Sequence, residues 1–227
     1  MRAVALLSSG MDSVVATTLA AREGEVVLAL TFDYGQRAAE REKEYAAKVC
    51  EALGIEHLVL ELPWLREITT TALVAESEAL PELSREELDS ERAEESARQV
   101  WVPNRNGVFV NIAASFAEAL SCDAIVVGFD AEEAATFPDN SREYVEAANR
   151  ALRYSTLSKV KIYAPLIEKS KSEIARLGFE VGAPLEWSWS CYRGEAKPCL
   201  RCESCLRRAR AFESIARKDP LLERLGL

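Results

Sequence analysis

The sequence predicts an α/β protein: a parallel sheet with helices on both faces, and a small C-terminal metal-binding lobe. Short apolar runs alternate with stretches of helical spacing along most of the 227 residues, the pattern of a parallel sheet. The first apolar run opens into a loop of small residues and then a helix. Four of the six cysteines crowd into residues 191–205.

In chain order, AVALL (3–7) has the length and composition of a buried strand, and Val14, Val15, Thr18 and Leu19 mark a helix from Asp12 to Arg22. EVVLALTF is the second strand, ending at Phe32, and DYG is a turn. A helix from Gln36 to Leu53 buries Ala46, Val49, Cys50 and Leu53, and Gly54 ends it. HLVLEL is the third strand. Residues 76–98 carry nine acidic and three basic residues. They read as an exposed, partly helical insertion that would be free to move, its acids forming a solvated face. A loop and helix follow in VPNRNGVFVNIAASFAEAL. SCDAIVVGFD is the fourth strand, AEEAATFPDN a longer loop, and Ser141 caps the next helix. KIYAPL is the fifth strand. SKSEIARLG starts a helix with a capping box, Ser170 to Glu173, and Gly178 as terminator. The cysteine-rich part and one final helix, containing AFESIARK, complete the chain. The expected division is 1–186 for the sheet domain and 187–227 for the lobe.

Composition excludes several classes. A net charge of −9 argues against an extended nucleic-acid surface, which needs clustered Lys and Arg. No stretch reaches the roughly 18 apolar residues of a membrane span, and no charged leader precedes the first strand. The expectation is a cytoplasmic protein with no membrane and no direct nucleic-acid partner.

The stretch LSSGMDSV joins strand to helix. The first amides of a helix lack internal partners and favour an anion, and small residues admit a ligand closely. A plain turn capped by Asp12 or Ser13 is the alternative. There is no GxGxxG and no GxxxxGK[ST], so a lysine-bearing Walker loop is excluded here. Cys191, Cys199, Cys202 and Cys205 have the spacing C-x7-C-x2-C-x2-C. Four soft thiolates suit one tetrahedral structural Zn²⁺ per chain, ahead of an iron–sulfur cluster or free thiols. Cys50 and Cys122 read as core. The single histidine, His57, reads as a packing residue, and its isolation disfavours a Ser-His-Asp hydrolase.

SSGMDS resembles the SGGxDS pyrophosphate-binding loop of the N-type ATP pyrophosphatases (the PP-loop superfamily), with Ser9 in place of the usual first glycine. TFDYGQR, VPNRNGVF, FPD, SCY and the cysteine spacing follow in the order expected of 7-cyano-7-deazaguanine synthases. The resemblance covers nearly the whole chain. It implies a Rossmann-like parallel sheet and a C-terminal zinc site. It implies a carbon–nitrogen ligase that uses ATP and ammonia to turn 7-carboxy-7-deazaguanine into the 7-cyano product, a precursor of queuosine and archaeosine. It also implies Mg²⁺ with ATP, and a homodimer. The rival readings are another adenylating enzyme of the superfamily, such as a tRNA thiolase, or a nucleotide-binding module without chemistry.

By position, the resemblance places Leu7, Ser8, Ser9, Gly10, Met11, Asp12, Ser13, Val14, Val15, Ala16 and Thr17 around the ATP phosphates. The backbone near Phe32 reads adenine and Lys171 contacts phosphates. Asn104, Arg105, Asp130 and Asp139 fall near the deazaguanine or Mg²⁺. Asp12, Ser13, Lys171 and Arg105 are the expected catalytic residues. Their plain alternatives are a turn role for Asp139 before the Ser141 cap and a surface ion pair for Arg105. EEAATFPD departs from the family's small, hydroxyl- and glycine-bearing stretch before Tyr-Pro-Asp, in the loop expected beside the purine-like ligand.

Overall fold

A computed structural model describes residues 1–227. Its strands are β1 (Arg2–Leu6), β2 (Glu25–Asp33), β3 (Glu56–Glu61), β4 (Ala124–Val126) and β5 (Lys161–Tyr163). The helices are α1 (Met11–Glu23), α2 (Ala39–Leu53), α3 (Pro63–Ile68), α4 (Glu91–Val100), α5 (Arg105–Ala119), α6 (Ala131–Ala134), α7 (Arg142–Ser155), α8 (Lys171–Glu180), α9 (Glu203–Ser214) and α10 (Pro220–Leu225). All five strands pair in parallel, in the order β3-β2-β1-β4-β5. The expected doubly covered parallel sheet is therefore present.

Strand alternation builds the two cores. Ala3, Ala5 and Leu7 project to one face, where α1, α2 and α8 cover them, joined by Ala211 and Phe212 of α9. Val4 projects to the other, with Val110, Ala113 and Ala117 of α5 and Leu152 of α7. After β1 the chain moves first toward β2 and β3, then crosses back to β4 and β5. Such a reversal opens a crevice at the carboxyl ends of β1 and β4, where ligands bind in sheets of this kind.

Several local expectations need correction. The second helix begins at Ala39, not Gln36. Gln36 is held back in the turn because its side chain accepts from the Tyr34 amide (2.9 Å) and donates to the Phe32 carbonyl (2.9 Å). The fourth and fifth strands are three residues each; beyond Val126 the chain leaves the sheet, and Val127, Gly128 and Phe129 line the crevice. Gly178 does not end its helix. It lies inside α8 because a Cβ there would sit 3.0 Å from both Val15 Cγ2 and Leu185 Cδ1. The final helix is two helices, α9 and α10, tied by Arg208, which donates from Nε and Nη2 to the Asp219 carboxylate at 2.6 and 2.7 Å.

Residues 76–98 carry the expected exposed acidic face and a helix, α4, but their apolar side chains clamp them to the cysteine lobe. Leu83, Leu88 and Ala93 bury against Leu206, and Glu82 makes an antiparallel bridge with Cys202. Arg85 grips Glu213 through two 2.7 Å bonds, and Asp89 meets Arg210 at 2.6 Å. The buried Ser96 hydroxyl donates to Glu203 at 2.6 Å. Two of its acids, Glu82 and Asp89, thus meet arginines more than a hundred residues away, and most of the others stay in solvent. Leu88 is fully buried, so Leu88→Ala is expected to cost about 2–4 kcal/mol of stability. Chemical denaturation measures the loss, and limited proteolysis should show new cleavage within 76–98.

Candidate active site

The crevice holds a cavity of about 260 Å³. One end is built by the β1–α1 loop. Ser13 Oγ donates to the Gly10 carbonyl (3.0 Å) and lies 3.2 Å from Ser8 Oγ, so hydroxyls fold the loop back on itself. Ser9 adopts the left-handed conformation, φ +62°, that favours glycine. Its carbonyl accepts a 2.8 Å bond from the Trp189 amide of the C-terminal lobe. Its hydroxyl is buried without a partner.

Gly128, just after β4, lets the start of α1 come this close. A Cβ there would lie 2.6 Å from the Ser13 amide nitrogen and 2.8 Å from the Asp12 carbonyl carbon. Backbone atoms cannot swing aside as a side chain can. Gly128→Ala is expected to destabilise the fold by about 1–3 kcal/mol and to lower turnover at least tenfold, because the loop must shift. Thermal melting and steady-state kinetics on one preparation check both.

Above the loop, Lys171 joins three acids. Its Nζ donates to Asp12 Oδ2 (2.7 Å), Asp130 Oδ2 (2.9 Å) and Glu133 Oε1 (2.9 Å). Lys171 is the first residue of α8, fixed by the capping box of Ser170 and Glu173. Asp130 caps α6 through its other oxygen, which accepts from the Glu132 and Glu133 amides at 3.0 Å. Burial raises the Asp12 carboxyl above its ordinary range and pushes Asp130 up to about 7; the Asp12 charge adds to the rise at Asp130. The lysine charge opposes both. One cation among three carboxylates leaves an excess of negative charge. Asp12 Oδ1 is buried with no partner, and one carboxylate oxygen from each of Asp12, Asp130 and Glu133 falls within a 4.8 Å group. Such a donor set suits a hard divalent cation, which takes oxygen ligands.

The other end of the cavity is aromatic. Phe109 stacks on Phe32 at 4.1 Å, and Trp101 on Phe137 at 6.0 Å. Arg105 donates to Tyr34 Oη at 3.1 Å, and its charge opposes the burial that raises Asp139. The cysteine lobe closes the cavity with Ser190, Tyr192, Glu203, Ser204 and Arg207.

Behind that wall the four Sγ atoms of Cys191, Cys199, Cys202 and Cys205 lie within 4.8 Å of one another. Cys199 and Cys205 are 4.0 Å apart. A tetrahedral zinc with Zn–S of about 2.3 Å needs sulfurs roughly 3.8 Å apart. Backbone amides of Arg193 and Cys199 donate to Cys191 Sγ at 3.4 and 3.3 Å. The cluster can hold a metal such as zinc.

Leu7, Ser8, Gly10, Met11, Asp12, Ser13, Phe32, Arg105, Asp139 and Lys171 all line the cavity. Val14, Val15, Ala16 and Thr17 are buried in α1 and back the loop rather than face the opening. Asp130, fully buried, stands behind Lys171. Asn104 is exposed, in the left-handed region at the start of α5, and does not reach the cavity wall. Sequence reasoning passed over Glu42, Glu133 and Arg207. Glu133 was within sight, in EEAATFPD, three residues after Asp130. Glu42 and Arg207 are charged helix residues that only the tertiary fold turns inward.

Residues 2–216 match the family described as queuosine biosynthesis protein QueC. The chain belongs to this family. A 7-cyano-7-deazaguanine synthase of Methanosarcina barkeri is 59% identical over 231 residues, covering 100% of both chains. That of Pelotomaculum thermopropionicum is 56% identical, covering 94% of this chain and 97% of its own. That of Methanocaldococcus jannaschii is 49% identical, covering 93% and 94%. The loop, the lysine cluster and the aromatic end share one cavity. No helix is long and apolar enough to cross a membrane.

Proposed function

We propose that this chain is an ATP-dependent ligase that converts 7-carboxy-7-deazaguanine and ammonia to 7-cyano-7-deazaguanine. The observation that carries the reading is one cavity shared by the Ser8–Ser13 loop with Lys171 and by the aromatic end with Arg105, in a chain with full-length synthase relatives. The loop, with its outward helix amides, suits the phosphates of ATP. The aromatic end suits a planar heterocycle.

The substrate carboxylate attacks the α-phosphorus of ATP and pyrophosphate leaves. Ammonia displaces AMP from the resulting acyl adenylate and loses a proton, giving the amide. The amide oxygen attacks the α-phosphorus of a second ATP and pyrophosphate leaves. Loss of both N–H protons and departure of AMP then give the nitrile. The chain's work is alignment and charge stabilisation. Lys171 and the α1 amides face the developing phosphate charge, Arg105 orients the acceptor, and Asp139 lines the same end. Asp12, with Glu133 and Asp130, would hold Mg²⁺, which supplies charge neutralisation to the departing pyrophosphate. The four cysteines would hold Zn²⁺ as a closed structural site.

Mass detection of the 7-cyano product from ATP, ammonium and 7-carboxy-7-deazaguanine, with AMP and pyrophosphate released in step, tests the reading. Absence of the product from folded, metal-loaded protein would refute it.

A further inference from the structure

Glu42 is a carboxylate on the cavity wall with no ion-pair partner. It projects from the first turn of α2, and burial pushes it up to about 7, against the pull of Gln36 and the Arg105 charge. Its Oε2 accepts from Gln36 Nε2 at 2.7 Å, and Oε1 makes no hydrogen bond. Gln36 is itself buried, with two 2.9 Å bonds to the backbone at Tyr34 and Phe32. The carboxylate is therefore aimed by a rigid amide, not left to solvent. An ionised carboxylate only accepts, with about four lone-pair sites over its two oxygens. Half-buried and in no direct ion pair, it is costly unless a ligand brings donors. The surroundings narrow the ligand. Phe109, Tyr34 and Phe32 supply flat apolar walls in the same cavity, and Arg105, which gives one N–H to Tyr34 Oη, keeps its other donors for the acceptor.

We infer that Glu42, held by Gln36, selects the ring edge of the heterocycle that carries an N–H beside an exocyclic amine. Those two parallel donors match the two carboxylate oxygens, as a bidentate pair. The inference rests on the proposed substrate, whose 2-amino-4-oxo pyrimidine half has that edge at N1 and the 2-amine. It adds the residue that reads it. An adenine ring offers its 6-amine beside an acceptor at N1, so it can serve only one carboxylate oxygen and sets a lone pair against the other. Glu42 thus sorts the two heterocycles that share the cavity, and sends the acceptor's reactive pyrrole side away from α2.

The test is calorimetric binding of 7-deazaguanine and of 7-deazahypoxanthine, which lacks the 2-amine, to the full chain and to Glu42→Gln. ATP binding is measured in parallel. The wild type should prefer 7-deazaguanine by at least about tenfold, because a site built for a donor rejects a ligand without it. Glu42→Gln should lose at least about thirtyfold for 7-deazaguanine and lose the preference, with ATP affinity kept within about twofold. No wild-type preference, an equal loss for both bases, or a matching loss for ATP would overturn the assignment. The wild-type comparison needs no variant, so poor folding of Glu42→Gln leaves it decisive. Product formation without Glu42 dependence would sink this inference alone. A Glu42-dependent preference without product would sink the reaction reading and leave the edge-reading role standing.

Discussion

Asp12→Ala is expected to cut AMP release at least about a thousandfold while the protein stays folded. The carboxylate sits in the first turn of α1, 2.7 Å from Lys171 Nζ, and carries the orphaned oxygen that a divalent cation would use. Its loss would take one of three proposed ligands from a bound divalent cation, and takes one of three anchors from the lysine. Stability should barely fall. Lys171 keeps Asp130 and Glu133 as partners, and Asp130 is relieved of a like charge that raises it. Melting within a few degrees of wild type, with ATP turnover gone, is the expected pair of results. Asp12→Asn, which keeps the shape, should be nearly as impaired, since charge is what the site needs. Wild-type AMP release from folded Asp12→Ala would remove the loop from the mechanism.

Cys202→Ser should lower metal content and melting temperature together. About one zinc per chain is expected in the wild type, and much less in the variant. Cys202 is fully buried, caps α9 and bridges to Glu82, so the ion, α9 and the 76–98 segment share one anchor. Metal-binding energy is partly folding energy. A loss of about 3–5 kcal/mol corresponds, at this size, to roughly 10 °C. Activity should fall because Glu203, Ser204 and Arg207 leave the cavity wall with α9. Iron with a visible charge-transfer band would overturn the zinc assignment, and zinc fully retained in the variant would overturn the ligand set.

Much of this was legible before any coordinates, and for local reasons. AVALL and EVVLALTF must be buried on both faces, which only a covered parallel sheet allows. The cysteine spacing brings its sulfurs together within fifteen residues. What the sequence hid depends on distant partners. The acids of 76–98 are mostly solvated, as their density suggests; what stays hidden is that Leu83, Leu88 and Ala93 on the same segment find Leu206. Gly178 reads as a stop signal until Leu185 and Val15 take the space its side chain would fill. Asp130 carries a charge suited to a substrate contact, yet helix capping and Lys171 use both its oxygens. Asn104 lies next to Arg105 in sequence, but it is exposed in the left-handed turn into α5 while Arg105 lines the cavity.

The bond from the Trp189 amide to the Ser9 carbonyl has a consequence for how the protein is made. A ribosome releases the β1–α1 loop first and its clamp some 180 residues later. The left-handed Ser9 conformation gains this bond only once Trp189 has emerged. On the proposed function, the loop would then reach its full nucleotide-binding shape only after the cysteine lobe has been synthesised and folded.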